Sequence, residues 1–259
     1  IYVNKDSGFT GNMYIDDLFI GIPDKAAASN PVTSGEYTKV FYNDFNSLTY
    51  GTALVSEEKP GGEDYRKMTD TAKAQNIGYY DYRGILPEGT ESLTDLTVSK
   101  NPLDEDDNSL KWTKNAAVSD SGTNPEIFTS FGDVKSGVLV FSSKIKFYSG
   151  EQYTKLELGA TGGRSYINVL ILSAGSDKAR IQLDGAVYDV IGDFTNEFVR
   201  FDIITDVTNR NYDFYVNGTK INTEKLSWGE AFLNFSQTRN VNMAAISQTR
   251  NMPNLGTMY

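Results

Sequence analysis

The chain has 259 residues, a formal net charge of −10 and a pI near 4.6. This length accommodates one large all-β domain or two small ones, and the acidic balance makes nucleic acid an unexpected partner. The sequence contains no Cys and no His, which excludes disulfides, thiol nucleophiles, Cys/His zinc sites and His-based triads. No apolar run approaches the ~20 residues of a membrane helix, so no membrane insertion is expected.

The two ends of the chain share a short motif. Gly11-Asn12-Met13-Tyr14 near the start resembles Gly256-Thr257-Met258-Tyr259 at the end, at an interval of 259 − 14 = 245 residues. Such internal similarity indicates an array of similar domains. We therefore predict a closing strand within residues 1–21, a Pro-containing linker at 22–36, and a β-sandwich domain at 37–259 that lacks its final strand.

The first half of that domain has mixed signals. Lys39–Phe45 alternates aromatic and polar residues, which is typical of a half-buried strand. Residues 56–76 predict a long polar loop, and residues 76–86 predict a strand or an ordered aromatic loop. Residues 99–109 contain an acidic turn, and a further strand is predicted to begin at Leu110.

The second half predicts many short strands separated by turn residues. They are expected near 126–131, 137–148, 152–160, 165–173, 179–184, 186–191, 197–206, 210–216 and 241–248. Asn217-Gly218 gives the strongest hairpin signal, because the pair supplies both positive-φ residues of a type I′ turn. Only Glu224–Phe235 favours a helical turn. The prediction is an all-β sandwich of jelly-roll type.

Several of these segments resemble concanavalin A-like, or laminin-G-like, jelly rolls. Phe201–Asp206 followed by Tyr212–Gly218 is similar to the apolar strand and hairpin of such modules. Phe41–Phe45 and Tyr14–Leu18 look like their first and last strands. The resemblance implies a carbohydrate-binding module of a large secreted or cell-surface bacterial protein, although fold alone does not give function.

In such a module the closing strand would follow residue 259, whereas here its complete copy comes first. Three arrangements satisfy this order. The strand at 10–21 folds back onto its own sheet, completes a preceding domain, or inserts into a neighbouring chain. Each gives a partner to a sheet edge that would otherwise be open, and we favour a neighbouring copy.

The resemblance also implies a structural calcium site. Asp16, Asp17 and Asp44 lie on the predicted last and first strands, where related modules hold calcium with oxygen ligands. Solvated charges that protect a sheet edge are the alternative interpretation. The acidic turn at Asp104–Asp107 lacks the spacing of an EF-hand loop.

Aromatic residues are the candidate carbohydrate ligands, because sugar rings stack on flat side chains. The candidates are Tyr79, Tyr80, Tyr82, Trp112 and Trp228. Aromatic residues of β proteins also fill cores or pair across strands, and this alternative stays open.

No catalytic site is predicted. The Glu-x-Asp-x-x-Glu strand of retaining glycosidases on this fold is absent, and Glu151, Glu157 and Glu197 are isolated in the sequence. We therefore expect no facing carboxylate pair. The predicted function is a non-catalytic extracellular module that binds polysaccharide. The alternative is a subunit of a surface layer or filament, assembled by strand exchange with neighbouring copies.

Overall fold

The structure is a computed structural model that describes residues 11–23, 37–56, 68–80, 94–114, 126–148, 150–160, 164–229 and 240–248. These residues form one short helix, α1 (Asp70–Ala74), and sixteen strands. The strands of the first part are β1 (Gly11–Pro23), β2 (Tyr37–Asn43), β3 (Gly78–Tyr80), β4 (Thr94–Asn101), β5 (Asp104–Lys114), β6 (Glu126–Val134), β7 (Val138–Lys146) and β8 (Gly150–Ala160). The remainder are β9 (Arg164–Ala174), β10 (Lys178–Leu183), β11 (Ala186–Ile191), β12 (Val199–Asp206), β13 (Asn211–Val216), β14 (Thr219–Lys220), β15 (Leu226–Ser227) and β16 (Val241–Gln248).

The strands form two antiparallel sheets that pack as a sandwich. Sheet A has the order β14-β13-β12-β7-β1-β5-β4, with β2 also paired to β1 and β15 to β13. Sheet B has the order β11-β10-β9-β8-β16-β6-β3. The prediction of an all-β sandwich is confirmed, and its architecture is the jelly roll.

Strand β1 lies in the interior of sheet A of its own chain. Residues 11–15 pair with β5 and residues 18–23 pair with β2, while β7 pairs along the opposite side. A bulge after Asp16, with Asp17 at φ 47°, marks the change of partner. Of the three predicted arrangements, the chain therefore has the one in which the strand folds back onto its own sheet, rather than the neighbouring copy that we favoured.

The hydrophobic core fills the space between the sheets. Alternate residues of each strand point inward, as the period of two requires, so that Ile15, Phe141 and Phe201 of sheet A face the core. Leu156 and Ile167 of sheet B meet them. No helix in the described part of the chain is long and apolar enough to cross a membrane.

Two local predictions are wrong. Residues 70–74, within the predicted loop at 56–76, form α1, whose first turn is capped by the Thr69 hydroxyl accepting from the Ala72 N–H at 3.3 Å. Within the described part of the predicted helical turn, Leu226 and Ser227 form β15 against β13, because their backbone groups complete the sheet edge.

The predicted turn chemistry is confirmed at Asn217-Gly218 and recurs at Asp184-Gly185. Asn217 and Gly218 have φ of 46° and 78°, and Asp184 and Gly185 have φ of 45° and 81°. Both residues of each pair are thus left-handed, as a type I′ turn requires.

Gly185→Ala is expected to destabilise the protein by about 1–2 kcal/mol, because a Cβ is strained at positive φ. Steric contact does not contribute, since a Cβ at Gly185 meets no atom within 4 Å. Gly132→Ala is the matched control, because that position is equally open and lacks the positive φ. Urea unfolding measures both variants, and equal midpoints for the two would contradict the assignment of this turn.

Candidate active site

Two glutamates lie on the outer face of sheet B, on strands that flank β16. Ile127 beside Glu126, and Leu156 and Leu158 beside Glu157, point into the core. Because side chains alternate along a strand, both glutamates point away from it. In register, Glu126 lies opposite Ser247 of β16, and Glu157 lies opposite Ala245, two residues along. The two carboxyl groups are therefore diagonal neighbours across one intervening strand.

Hydroxyl groups hold both oxygens of Glu157. Ser165 Oγ donates to Oε1 at 2.8 Å, and Ser247 Oγ donates to Oε2 at 2.8 Å. Only 6% of Glu157 is exposed. Because Ser247 is the residue directly opposite Glu126, this hydrogen bond draws the Glu157 carboxylate towards Glu126. These two donors fix the orientation of the Glu157 carboxyl group.

The environment of Glu126 favours its neutral form. Burial raises the pKa of Glu126, and the charge of Glu157 raises it further, while Lys155 lowers it. The resulting pKa is about 7. A carboxyl group with such a pKa holds its proton below neutral pH and is able to donate it. Below neutral pH the face therefore holds a protonated Glu126 beside Glu157, whose two oxygens accept hydrogen bonds.

Sequence reasoning did not find that Glu126 and Glu157 are neighbours on this face. Glu157 was considered isolated, and Glu126 was not considered, because the two are 31 residues apart and belong to strands that are not consecutive. Alternation in each strand places each glutamate on an outer face. Their proximity depends on β16 lying between β6 and β8, which is a long-range pairing that no local pattern encodes.

Three of the predicted carbohydrate ligands are core residues. Tyr79, Trp112 and Trp228 are 6%, 0% and 2% exposed, so none of these rings is available for stacking on a sugar. Trp228 stacks on Tyr166 with centroids 5.2 Å apart, and its Nε1 donates to Thr205 Oγ1 at 2.9 Å. The core-filling alternative holds for them. Tyr82 and the side chain of Tyr80 lie outside the described residues.

The predicted calcium ligands lie together at the bulge of β1. Asp16 is 4% exposed, Asp17 forms an ion pair with Lys144, and the Tyr42 hydroxyl contacts Asp17 at 3.2 Å and Asp44 at 3.4 Å. Within the described ranges, no group of three or more acidic residues is arranged to hold a metal ion. Calcium binding stays a prediction.

Sequence reasoning missed Asp107 as a neighbour of Asp16. Burial opposes ionisation of Asp107, but hydrogen bonds from Asn101, Asn46 and Asp16 outweigh it and lower its pKa. Asn46 Nδ2 donates to Asp107 Oδ1 at 2.7 Å, and Asn101 Nδ2 donates to Oδ2 at 3.0 Å. The carboxylate of Asp107 is therefore held ionised beside a carboxyl group that is driven towards its neutral form.

Asp16→Asn is expected to raise the melting temperature at pH 8 by roughly 5–10 °C and to change it little at pH 4. Burial, followed by the charge of Asp17, raises the pKa of Asp16 to about 7. A raised carboxyl pKa stabilises the fold below the unfolded value near 4, and this contribution is lost as pH rises through 7. Asn does not ionise, so the variant does not lose stability in this way as the pH rises.

The melting temperatures are measured with EDTA present, so that no divalent cation contributes. Asp44→Asn is the control, because Asp44 belongs to the same cluster but is less buried than Asp16. A parallel pH dependence of Asp16→Asn and the wild type would contradict the assignment.

Comparison with solved structures finds a likeness of fold at low sequence identity. A sialidase is 9% identical, with a TM-score of 0.38, and covers 77% of this chain, which spans 15% of that protein. The catalytic domain of an endo-1,3-beta-glucanase from Thermotoga petrophila RKU-1 is 18% identical (53% of this chain, 67% of that one, TM-score 0.31). A family 16 glycoside hydrolase endo-glucanase from Bacteroides ovatus is 8% identical. The match covers 80% of this chain and 84% of that one, with a TM-score of 0.34. No protein-family model and no curated protein matches the chain.

These comparisons contradict the prediction of a non-catalytic module. The solved structures named above are a sialidase, the catalytic domain of an endo-1,3-beta-glucanase and an endo-glucanase, all of them enzymes. The predictions that the chain is not an enzyme and that it is a non-catalytic module are therefore wrong.

Proposed function

We propose that the chain is an extracellular enzyme that cleaves glycosidic bonds of a polysaccharide on the outer face of sheet B. The observation that carries the proposal is the pair Glu126 and Glu157. Glycosidases divide acid and base or nucleophile roles between two carboxyl groups whose environments favour opposite protonation states. Burial favours the neutral form of Glu126 by raising its pKa to about 7, and two hydroxyl donors hold Glu157 in one orientation.

Each glutamate has one role in this proposal. Glu126 donates its proton to the glycosidic oxygen as the leaving sugar departs. Glu157, as a carboxylate, faces the positive charge that develops on the sugar ring and either attacks the anomeric carbon or activates a water molecule. Ser165 and Ser247 are positioning residues, because they fix the two oxygens of Glu157.

Glu157→Gln is expected to reduce polysaccharide cleavage by about a hundredfold or more, because an amide neither attacks carbon nor accepts a proton. Release of reducing ends is measured with laminarin, mixed-linkage β-glucan and agarose as substrates. Glu197→Gln is the matched control, since Glu197 is exposed and lies in the loop between β11 and β12, not on β6, β8 or β16. Absence of cleavage of all three by the wild-type protein, or full activity of a folded Glu157→Gln variant, would overturn the proposal.

A further inference from the structure

A groove of about 350 Å³ runs along one open side of the sandwich. It lies between β11, the edge strand of sheet B, and the β13–β14 hairpin at the edge of sheet A. Tyr188, Val190 and Ile191 line one wall, and Asn217, Thr219 and Lys220 line the other. This volume is within the range of pockets that hold small organic ligands. The groove is separate from the glutamate pair, because β9 and β10 lie between β8 and β11.

The charged groups at this groove are already paired within the protein. Lys220 Nζ lies 2.8 Å from Asp213 Oδ1. Asp189 lies 3.3 Å from Lys178 Nζ and 3.9 Å from Arg180 Nε. No carboxylate or cation in the lining therefore needs a charged ligand for its neutralisation, which disfavours an ionic occupant.

The polar groups that remain are neutral. Asn217 Oδ1 accepts from the Arg200 N–H at 2.9 Å, but the Asn217 amide nitrogen has no hydrogen-bond partner among the described residues. The Thr219 hydroxyl is also without one in that part of the chain. An amide donor and a hydroxyl group suit a ligand that is rich in hydroxyl groups.

An apolar surface faces these groups. Tyr188 and Val190 lie two residues apart on β11, share the face that packs against the core, and line the groove. Ile191, at the end of the strand, is 81% exposed, which is unusual for so large an apolar side chain. The aliphatic and aromatic wall is able to contact the C–H faces of a sugar, while the opposite wall donates to and accepts from its hydroxyl groups. Such a pairing of apolar surface with a few polar groups is typical of ligand sites.

We infer that the groove between β11 and the β13–β14 hairpin is a second binding site, for a short uncharged oligosaccharide. It would hold a part of a polysaccharide away from the glutamate pair. It does not depend on the proposed cleavage reaction, because none of its lining residues belongs to that face.

The test is an amide NMR titration of the Glu126→Gln protein with laminarihexaose and neoagarohexaose, which this variant is not expected to cleave. The expected result is a saturable shift of the amides at 190–192 and 217–220. The exposed Ile191 permits Ile191→Ser without loss of the fold, and this variant is expected to weaken binding about tenfold. Thr219→Leu, which fills the groove and removes the hydroxyl group, is expected to do the same.

Val187→Ser is the matched control, because Val187 is exposed on the same strand but does not line the groove. Its affinity is expected to equal that of the parent protein. Amide shifts confined to the residues around Glu157 would overturn the inferred groove site and leave the proposed cleavage site standing. Amide shifts confined to the groove residues would support the groove site and contradict the proposed cleavage site. Concentration-dependent shifts of β11 without sugar would also overturn the inference, because they would identify an interface between copies.

Discussion

Glu126→Gln is expected to lower kcat/KM for polysaccharide cleavage by about 10²–10⁴ and to abolish the alkaline limb of its pH profile. The wild-type activity should fall as pH rises through about 7, because burial and the charge of Glu157 raise the pKa of Glu126 to that value. Above it the carboxyl group has lost the proton that the leaving oxygen needs. Gln carries no titratable proton, so its residual activity has no such limb.

This profile separates a proton donor from a residue that merely supports the fold. A structural role would change the melting temperature and kcat/KM together and leave the shape of the pH profile unchanged. Substrates that carry a good leaving group provide a second test, because they need little protonation. We expect an aryl glycoside to restore much of the activity of Glu126→Gln and little of the activity of Glu157→Gln. Equal restoration of both variants, or a wild-type profile without the limb near pH 7, would contradict the assignment of roles.

The protonation states of the pair depend on two different surroundings in the same sheet. Burial is the larger cause at Glu126, and the negative charge of Glu157 adds to it. Ser165 and Ser247 compensate the burial of Glu157 with a hydrogen bond to each oxygen. A buried carboxylate needs such donors, since desolvation otherwise favours its neutral form. Removing the Ser247 hydroxyl therefore disturbs the position of Glu157.

Local chemistry explains what the sequence predicted well. The bounds of β11 and β16 match the predicted ranges, because each is a short alternating segment between turn residues. The hairpin at Asn217-Gly218 follows from the positive φ that those two residues tolerate. Helix α1 was missed because five residues are too few to establish a helical period. Its signal was the Thr69 cap followed by Asp70 in the first turn.

The candidate site was missed for a different reason. Glu126, Glu157 and Ser247 come from three strands, and their proximity follows from which strands are paired and in what register. For the aromatic residues the error was of the opposite kind, because buried residues were predicted to be ligands. Trp112 and Trp228 have the chemistry of sugar ligands, but a ring that packs in a core is indistinguishable in sequence from a ring that faces solvent.

Ile15→Asp is expected to abolish folding of the monomer. Ile15 is fully buried in β1, which pairs with β5 on one side and β7 on the other. Loss of the buried Ile side chain lowers the free energy of unfolding by about 2–5 kcal/mol, and an unpaired carboxylate in the core lowers it by several kcal/mol more. This sum approaches the whole stability of a typical domain, about 5–15 kcal/mol. Circular dichroism and urea unfolding measure the loss directly.

The matched control is Ile191→Asp, which makes the same chemical change at a residue that is 81% exposed. It is expected to alter the free energy of unfolding by no more than about 0.5 kcal/mol, because no apolar contact with the core is lost. The comparison therefore isolates the burial of β1 within its own sandwich from any general effect of added acidity. If Ile15→Asp unfolded at the same urea concentration as Ile191→Asp, β1 would not be packed in the sheet of its own chain. A large difference in the free energy of unfolding between the two variants requires that residues 11–23 are an integral strand of the fold. The cost of a buried carboxylate arises only where the replaced side chain points into the core.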